Sequence, residues 1–267
     1  MLLHRYAYYL SSIFTLLTGF RDPFKITRIF LGAKVTEGTT VQLRGSGLKF
    51  KVRGKMDVWS LKETLLDRFY ERFGFAVQDG WTIVDIGGGI GDYTIFAAHN
   101  RDQARVMVFE PFPESYRLLQ DNLTLNQIHN VQLSAQAVGS QTGMVQFGGG
   151  PADPLSRQTS VMSGVAIRED LAVQSVSLGA VLEQLASGHI DLIKLDCEGA
   201  EFDILMNSPA TVLEKIDRIV LEYHDGVTSN THLDLVKYLT EQGFQVENRE
   251  NFAHANIGYL RAWKAGA

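Results

Sequence analysis

The chain has 267 residues, 45% of them hydrophobic and 21% charged, with a formal net charge of -5. That is enough chain for one large domain, or one domain with an extension, and for a substantial core. No basic block interrupts the acidic balance, so nucleic acid is not an expected partner. The single cysteine, Cys197, excludes an internal disulfide and a cysteine-based metal cluster, and fits a reducing, cytoplasmic setting.

The first segment, Ala7 to Phe20, is apolar and aromatic, with His4 and Arg5 before it and Arg21-Asp22-Pro23 after it. Its fourteen residues fall short of the ~20 that span a bilayer, and no small-residue cleavage site follows. The expectation is an amphipathic helix packed on the domain. The alternative is a helix that lies on a membrane surface or mediates self-association, although its own basic content is low for electrostatic attachment to lipid. Val41 to Val52 alternates like a hairpin with Gly45-Ser-Gly47 at the turn. Residues 1–56 therefore read as an extension, and residues 57–267 as the main domain.

Val58 to Phe75 is expected to be helical, with Trp59, Leu61, Leu65, Leu66, Phe69 and Phe73 on one side. From Trp81 on, strands and helices alternate. The strands are Thr82–Ile86, Val106–Phe109, Val131–Val138, Asp191–Asp196, Arg218–Glu222 and a final antiparallel pair, Phe244–Glu247 and Ile257–Trp263. The helices start near Tyr93, Pro113, Val181, Ala200 and His232. This is an α/β pattern, a mostly parallel sheet with helices on both faces. Gly139 to Val176 breaks the rhythm with Gly148-Gly-Gly150, Pro151 and Pro154. It reads as a long loop near the carboxyl ends of the strands, either a surface hairpin insertion or a flap over substrate.

The chemistry concentrates in two segments. The first is Thr82-Ile-Val-Asp-Ile-Gly-Gly-Gly-Ile-Gly-Asp92, a strand running into a tight glycine turn that opens a helix. Such turns bring backbone close to a nucleotide-like ligand. Glu110 ends the next strand, 25 positions after Asp85, where a carboxylate can accept bonds from both ribose hydroxyls. The glycines do not follow the G-x-G-x-x-G dinucleotide spacing. Asp85 would repel a pyrophosphate but suits a sulfonium or an amino-acid ammonium, which points to S-adenosylmethionine rather than NAD. The second segment, Asp191-Leu-Ile-Lys-Leu-Asp-Cys-Glu-Gly-Ala-Glu201, delivers Lys194, Asp196 and Glu198 to a strand end. Period-two alternation puts Lys194 and Asp196 on one face, and such charges beside an apolar strand are costly unless paired or functional. Glu222-Tyr-His-Asp225 ends the neighbouring strand. Cys197 reads as a small buried residue rather than a nucleophile, and Glu201 as a helix-start charge that complements the dipole.

With Val84-Asp-Ile-Gly and Gly91, Phe109-Glu-Pro, Ala137-Val-Gly139 and Ile193-Lys-Leu-Asp-Cys-Glu-Gly-Ala-Glu201, the chain resembles the FkbM-type methyltransferases of the class I S-adenosylmethionine-dependent fold over roughly Asp57 to Leu221. Gly87-Gly88-Gly89 stands where that family usually has Gly-Ala-Asn. Gly179 stands where it usually has Asp. The resemblance implies a Rossmann-like, seven-stranded sheet with one antiparallel strand. It implies O-methylation of a hydroxyl on a sugar, glycan or secondary metabolite, with S-adenosylhomocysteine as the other product. The candidate cofactor residues are Asp85, Gly87, Gly89, Gly91, Asp92, Glu110, Pro111 and Ala137. The candidate catalytic residues are Asp196 or Glu198 as general base, then His224, with Lys194 neutralising a neighbouring carboxylate. Asp196, Glu222 and His224 have the oxygen-rich chemistry of a Mg²⁺ set, but no metal-ligand spacing marks them and no metal is expected. Two other readings remain: a NAD-dependent oxidoreductase or epimerase, disfavoured by the glycine spacing and the lack of a placed Tyr-x-x-x-Lys pair, and a non-catalytic member of the family.

Overall fold

The computed structural model describes residues 2–33, 38–148, 167–251 and 256–266. Two helices open the chain, α1 (Leu2–Gly19) and α2 (Pro23–Phe30). The Asp22 carboxylate caps α2 by accepting from the Lys25 amide at 2.9 Å, and Pro23 sits in the first turn where no amide is needed. The hairpin β1 (Thr40–Gln42) and β2 (Lys49–Lys51) follows, Val41 opposite Phe50. Leu16, Phe20, Ile26, Ile29, Val41 and Phe50 enter one apolar cluster with Ile90, Ile95, Val108 and Leu119. The first 56 residues thus share a core with the rest of the chain.

The helix expected over 58–75 is broken. α3 (Lys55–Leu61) passes into a π-helical segment, 62–66, and Arg68 turns at φ 53° before α4 (Phe69–Arg72). Polar anchoring overrides the apolar period here. Lys62 is buried, ion-paired with Asp67 at 2.7 Å, and donates to Ser12 and Tyr8 of α1. A widened turn of this kind shifts which side chains face the sheet.

The main domain then runs β3 (Thr82–Ile86), α5 (Asp92–Ala98), β4 (Arg105–Phe109), α6 (Pro113–Leu125) and β5 (Val131–Ser134). After it come β6 (Ala137–Gly139), β7 (Gly143–Gly148), β8 (Ile167–Ser177), α7 (Leu178–Gln184), β9 (Leu192–Leu195), α8 (Ala200–Met206) and α9 (Ala210–Leu213). The chain finishes with β10 (Arg218–His224), α10 (His232–Glu241), β11 (Gln245–Glu250) and β12 (Ile257–Trp263). The large sheet has the order β11-β12-β10-β9-β3-β4-β5. β12 runs antiparallel to both neighbours, and the other four pairings, β10 to β9, β9 to β3, β3 to β4 and β4 to β5, are parallel. All five residues of β3 are buried, as a central strand covered on both faces requires. The chain leaves β3 toward β4 on one side, while β9 pairs on the other. The strand order reverses there and opens a crevice at the carboxyl ends.

The strand expected over 131–138 is two. The Ser134 hydroxyl donates to the Gln136 side-chain carbonyl and accepts from the Gln136 amide, a local turn where the chain leaves the large sheet. Ala137–Gly139 instead pairs in parallel with β8 in a separate three-stranded sheet, β6-β8-β7. The ends of the expected long loop are therefore strands, β7 and β8 paired antiparallel from Gly143 opposite Ser175. Its middle, with Gly149, Gly150, Pro151 and Pro154, lies outside the described residues. Gly179 leaves α7 without an acidic start, and Ser177 supplies the cap by accepting from the Ala180 amide at 3.2 Å.

Candidate active site at the carboxyl ends of the central strands

The glycine turn is shaped by what passes beside it. The Gly87 and Gly88 amides both donate to the Phe109 carbonyl, at 3.0 and 3.1 Å, tying the turn to the end of β4. Gly87 has φ 81°, and a Cβ there would stand 1.9 Å from the Asp196 carbonyl oxygen, so only glycine lets the end of β9 pass. Gly89 has open space where a Cβ would be, and its amide donates to Glu110 Oε2 at 2.7 Å. Glu110 Oε1 accepts from the Phe112 amide at 2.9 Å. Burial pushes the Glu110 carboxyl up to about 7, against the downward pull of those two amides, Lys194 and Arg53. Two amides occupy only part of the lone-pair capacity of an ionised carboxylate, and Glu110 lines the cavity, so it can accept further donors.

Behind the turn lies a buried ion pair. Lys194 Nζ is 3.1 Å from Asp85, donates to the Gly87 carbonyl at 2.9 Å and stands 3.8 Å from Asp196. Asp85 is fully buried and also accepts from Thr94 Oγ1 at 2.6 Å. Burial works against the charge on Lys194, but Asp85, Asp196 and Asp92 together hold its pKa above the ordinary range. Asp85 does not line the cavity. Where the sequence suggests that it faces the cationic end of a ligand, the structure places Lys194 against its charge. Asp92 does line the cavity, and accepts from Ser60 at 2.8 Å and Thr64 at 2.5 Å. These bonds join the start of α5 to α3 and the π-helical segment.

The far side of the crevice is acidic. Asp196 Oδ2 accepts from Tyr70 at 2.9 Å. Glu198 sits at φ 55°, a left-handed backbone unusual for a residue with a side chain, and 3.6 Å from His224 Nε2. Burial raises the Glu198 carboxyl to about 7; His224 lowers it, and Asp196 and Glu201 raise it further. His224 ends β10, and its ring Nδ1 lies 3.1 Å from Glu201 Oε1, the same oxygen that accepts its amide at 2.8 Å. Burial lowers the His224 pKa, but Glu201, Glu198 and Glu222 carry it to about 10. These carboxylates favour the protonated form of His224, which does not line the cavity. Burial and the adjacent Asp196 push Glu222 well above the usual carboxylate range. Burial likewise pushes the Cys197 thiol well up, away from nucleophilic form.

Residues 85–246 match the profile of the methyltransferase FkbM domain. The chain belongs to the FkbM methyltransferase family. That is a family of S-adenosylmethionine-dependent methyltransferases. The antimetabolite synthetase AmbE of Pseudomonas aeruginosa is 27% identical over 241 residues, covering 71% of this chain but only 11% of that protein. The 31-O-demethyl-FK506 methyltransferase FkbM of Streptomyces tacrolimicus is 22% identical over 232 residues, 75% of this chain and 87% of that one. Methyltransferase 1 of Beauveria bassiana is 26% identical over 182 residues, 62% of this chain and 72% of that one. Among solved structures, a putative rRNA methylase from Clostridium thermocellum superposes with TM-score 0.50 at 13% identity, over 75% of this chain and 96% of that one, a likeness of fold.

The FkbM-family site fits S-adenosylmethionine by its own chemistry. Glu110 offers a buried acceptor with spare capacity, the open side of Gly89 leaves room for close approach, and Ile86, Phe109, Phe112, Ala137 and Val138 wall the cavity. Of the residues singled out from sequence, Gly87, Gly89, Asp92, Glu110, Pro111, Ala137, Lys194, Asp196 and Glu198 line this one cavity. Asp85, Gly91 and His224 do not; Gly91 instead opens α5 at φ 86°. Asp196, Glu222 and His224 bring one ligand atom each within 4.8 Å of one another. As a Mg²⁺ set they fit only if His224 gives up the proton that Glu201 and its other acidic neighbours hold on it. Sequence reasoning missed Tyr70, Asp57, Ser60 and Ser115. Arg53-x-x-x-Asp57 had a helical ion-pair spacing that was readable: the pair is 2.9 Å apart, and Arg53 also donates to Ser115. Tyr70 carried no local signal, since its partner Asp196 lies 126 positions away. Glu201 was undervalued: fully buried, it accepts from Gly199 and twice from His224, holding the β9 loop against the end of β10.

Proposed function

We propose that this protein transfers a methyl group from S-adenosylmethionine to a hydroxyl of a small-molecule, sugar or glycan acceptor in the cytoplasm, with Glu198 as the general base. The observation that carries this reading is Glu198 itself. It lines the cavity beside Asp196, has a pKa raised to about 7, and faces the protonated His224. A carboxylate with a pKa near the working pH accepts a proton from a hydroxyl far better than an ordinary one. Asp196 is tied to Tyr70 and lies near Lys194, so it is better placed to position than to accept. Glu110 binds, Lys194 and Asp85 hold the turn, and Glu201 fixes His224 against Glu198. S-adenosylmethionine, when bound, supplies the electrophilic methyl group. The acceptor proton passes to Glu198 as the new O–CH₃ bond forms, and S-adenosylhomocysteine leaves.

The test is release of S-adenosylhomocysteine with a panel of acceptors bearing hydroxyl, amine or carboxyl groups. The reading expects turnover with hydroxyl acceptors, and Glu198→Gln should slow it while leaving S-adenosylhomocysteine binding near wild type. Transfer to amines alone, or unchanged turnover in Glu198→Gln, would overturn it.

A further inference from the structure

The two N-terminal helices carry a surface that the methyl-transfer site does not use. α1 buries Ser12 and Leu16, and Phe20 just beyond its end, against the domain. Its opposite face shows Leu10 (68% exposed), Ile13 (55%), Phe14 (70%) and Leu17 (40%). At i, i+3, i+4 and i+7 these make one continuous apolar stripe. α2 buries Ile26 and Ile29 in the same cluster that receives Leu16 and Phe20. Phe24 and the capping Leu31, both 82% exposed, project from the other side of that helix. Because both helices turn their buried faces into one cluster, both apolar stripes point away from it.

Charge accompanies the stripes. Arg21, Lys25 and Arg28 are exposed on or beside α2. Lys25 and Arg28 line an open cleft next to Phe24. Residues 1–34 hold five Lys/Arg against one acidic residue, Asp22, a local charge of +4 in a chain whose net charge is -5. The basic content that looks low when Ala7–Phe20 is taken alone is supplied by α2. A second copy of this chain would set two positive surfaces face to face. An anionic lipid surface complements both the charge and the apolar stripes. Among the described residues no helix is long and apolar enough to cross a membrane, so the mode is in-plane.

We propose that α1 and α2 dock this protein on an anionic bilayer surface, with Leu10, Ile13, Phe14, Leu17, Phe24 and Leu31 at the acyl boundary and Arg21, Lys25 and Arg28 on headgroup phosphates. The inference is independent of the methyl-transfer chemistry. It is tested by co-sedimentation of the full chain with vesicles of phosphatidylcholine mixed with phosphatidylglycerol, and with vesicles of phosphatidylcholine alone. The wild type should partition to the mixed vesicles and at least about tenfold less to the neutral ones, since each basic residue near an anionic leaflet is worth roughly fivefold. The double variants Leu10→Ser/Phe14→Ser and Lys25→Glu/Arg28→Glu should each lose about tenfold or more, while circular dichroism stays that of the wild type. Equal partition of wild type and both variants would overturn the proposal. So would absence of vesicle binding, or a dimer by light scattering that Leu10→Ser/Phe14→Ser abolishes, which would assign the stripes to a second copy.

Discussion

The two halves of the crevice are built differently. On the cofactor side, Gly87, Gly88, Gly89 and Glu110 come from two adjacent strand ends, and backbone amides make most of the bonds: Gly89 and Phe112 to Glu110, and Gly87 and Gly88 to Phe109. On the side proposed for the acceptor, side chains dominate and come from remote positions. Tyr70 meets Asp196, Glu201 meets His224, and Glu198 meets His224. A site made of backbone is tolerant of its neighbours but intolerant of a Cβ. A site made of buried side-chain charges is held by mutual compensation, so removing one member disturbs the protonation of the others.

That contrast orders the expected effects. Glu198→Gln should cost turnover 10²–10⁴-fold, the usual worth of a general base, and leave the calorimetric affinity for S-adenosylhomocysteine within about threefold. A loss of affinity as large as the loss of turnover would erase the division into two halves. Glu110→Ala should do the reverse. Two charge-assisted bonds at ~1.5–3 kcal/mol each bound the loss, and a fall in cofactor affinity of roughly 10²-fold is expected by the same calorimetry. An unchanged affinity would remove Glu110 from the cofactor side.

Glu201→Gln breaks the compensation without touching the cavity. It leaves His224 without the carboxylate that favours its cation, and a loss of about 1–3 kcal/mol in denaturant unfolding is expected. The linked pH dependence has a definite sign. The folded His224 pKa of about 10 exceeds the ordinary 6.5, so the folded state holds the proton more tightly. Its stabilising contribution is complete below about 6.5 and fades as pH rises toward 10. Unfolding midpoints measured from pH 7 to 10 should fall, and His224→Gln should flatten the slope; parallel slopes would show that other groups set it.

The smallest expected effect is on binding. Free Glu110 titrates near 7, and a donor bonded to its ionised form lowers that value. S-adenosylhomocysteine affinity should therefore rise several-fold from pH 6 to 8, and Glu110→Gln should abolish the rise. A pH-independent wild type would mean that the carboxyl accepts nothing from the ligand.

The sheet was legible because its signals are local. Thr82–Ile86, Arg105–Phe109 and Leu192–Leu195 are short apolar runs bounded by turn residues, and buried parallel strands need little else. Legibility failed where a polar bond outweighed an apolar period. Lys62, bound to Ser12 and Tyr8, accompanies the break in the helix expected over 58–75, and Ser134 with Gln136 ends the strand expected to reach Val138. In the site, nine of the twelve marked residues line one cavity, because a motif read along the chain keeps neighbours together.

Sequence by itself determined that this is an α/β chain of the FkbM type with a glycine turn, an acidic residue at the next strand end, and a charged segment after β9. Those are properties of consecutive residues. Only the tertiary structure decided which charges answer each other. Asp85 spends its charge on Lys194, 109 positions away, and Glu201 holds His224 protonated from 23 positions away. A carboxylate's role depends on burial and on its partner rather than on its neighbours in the chain, and neither exists until the strands are side by side.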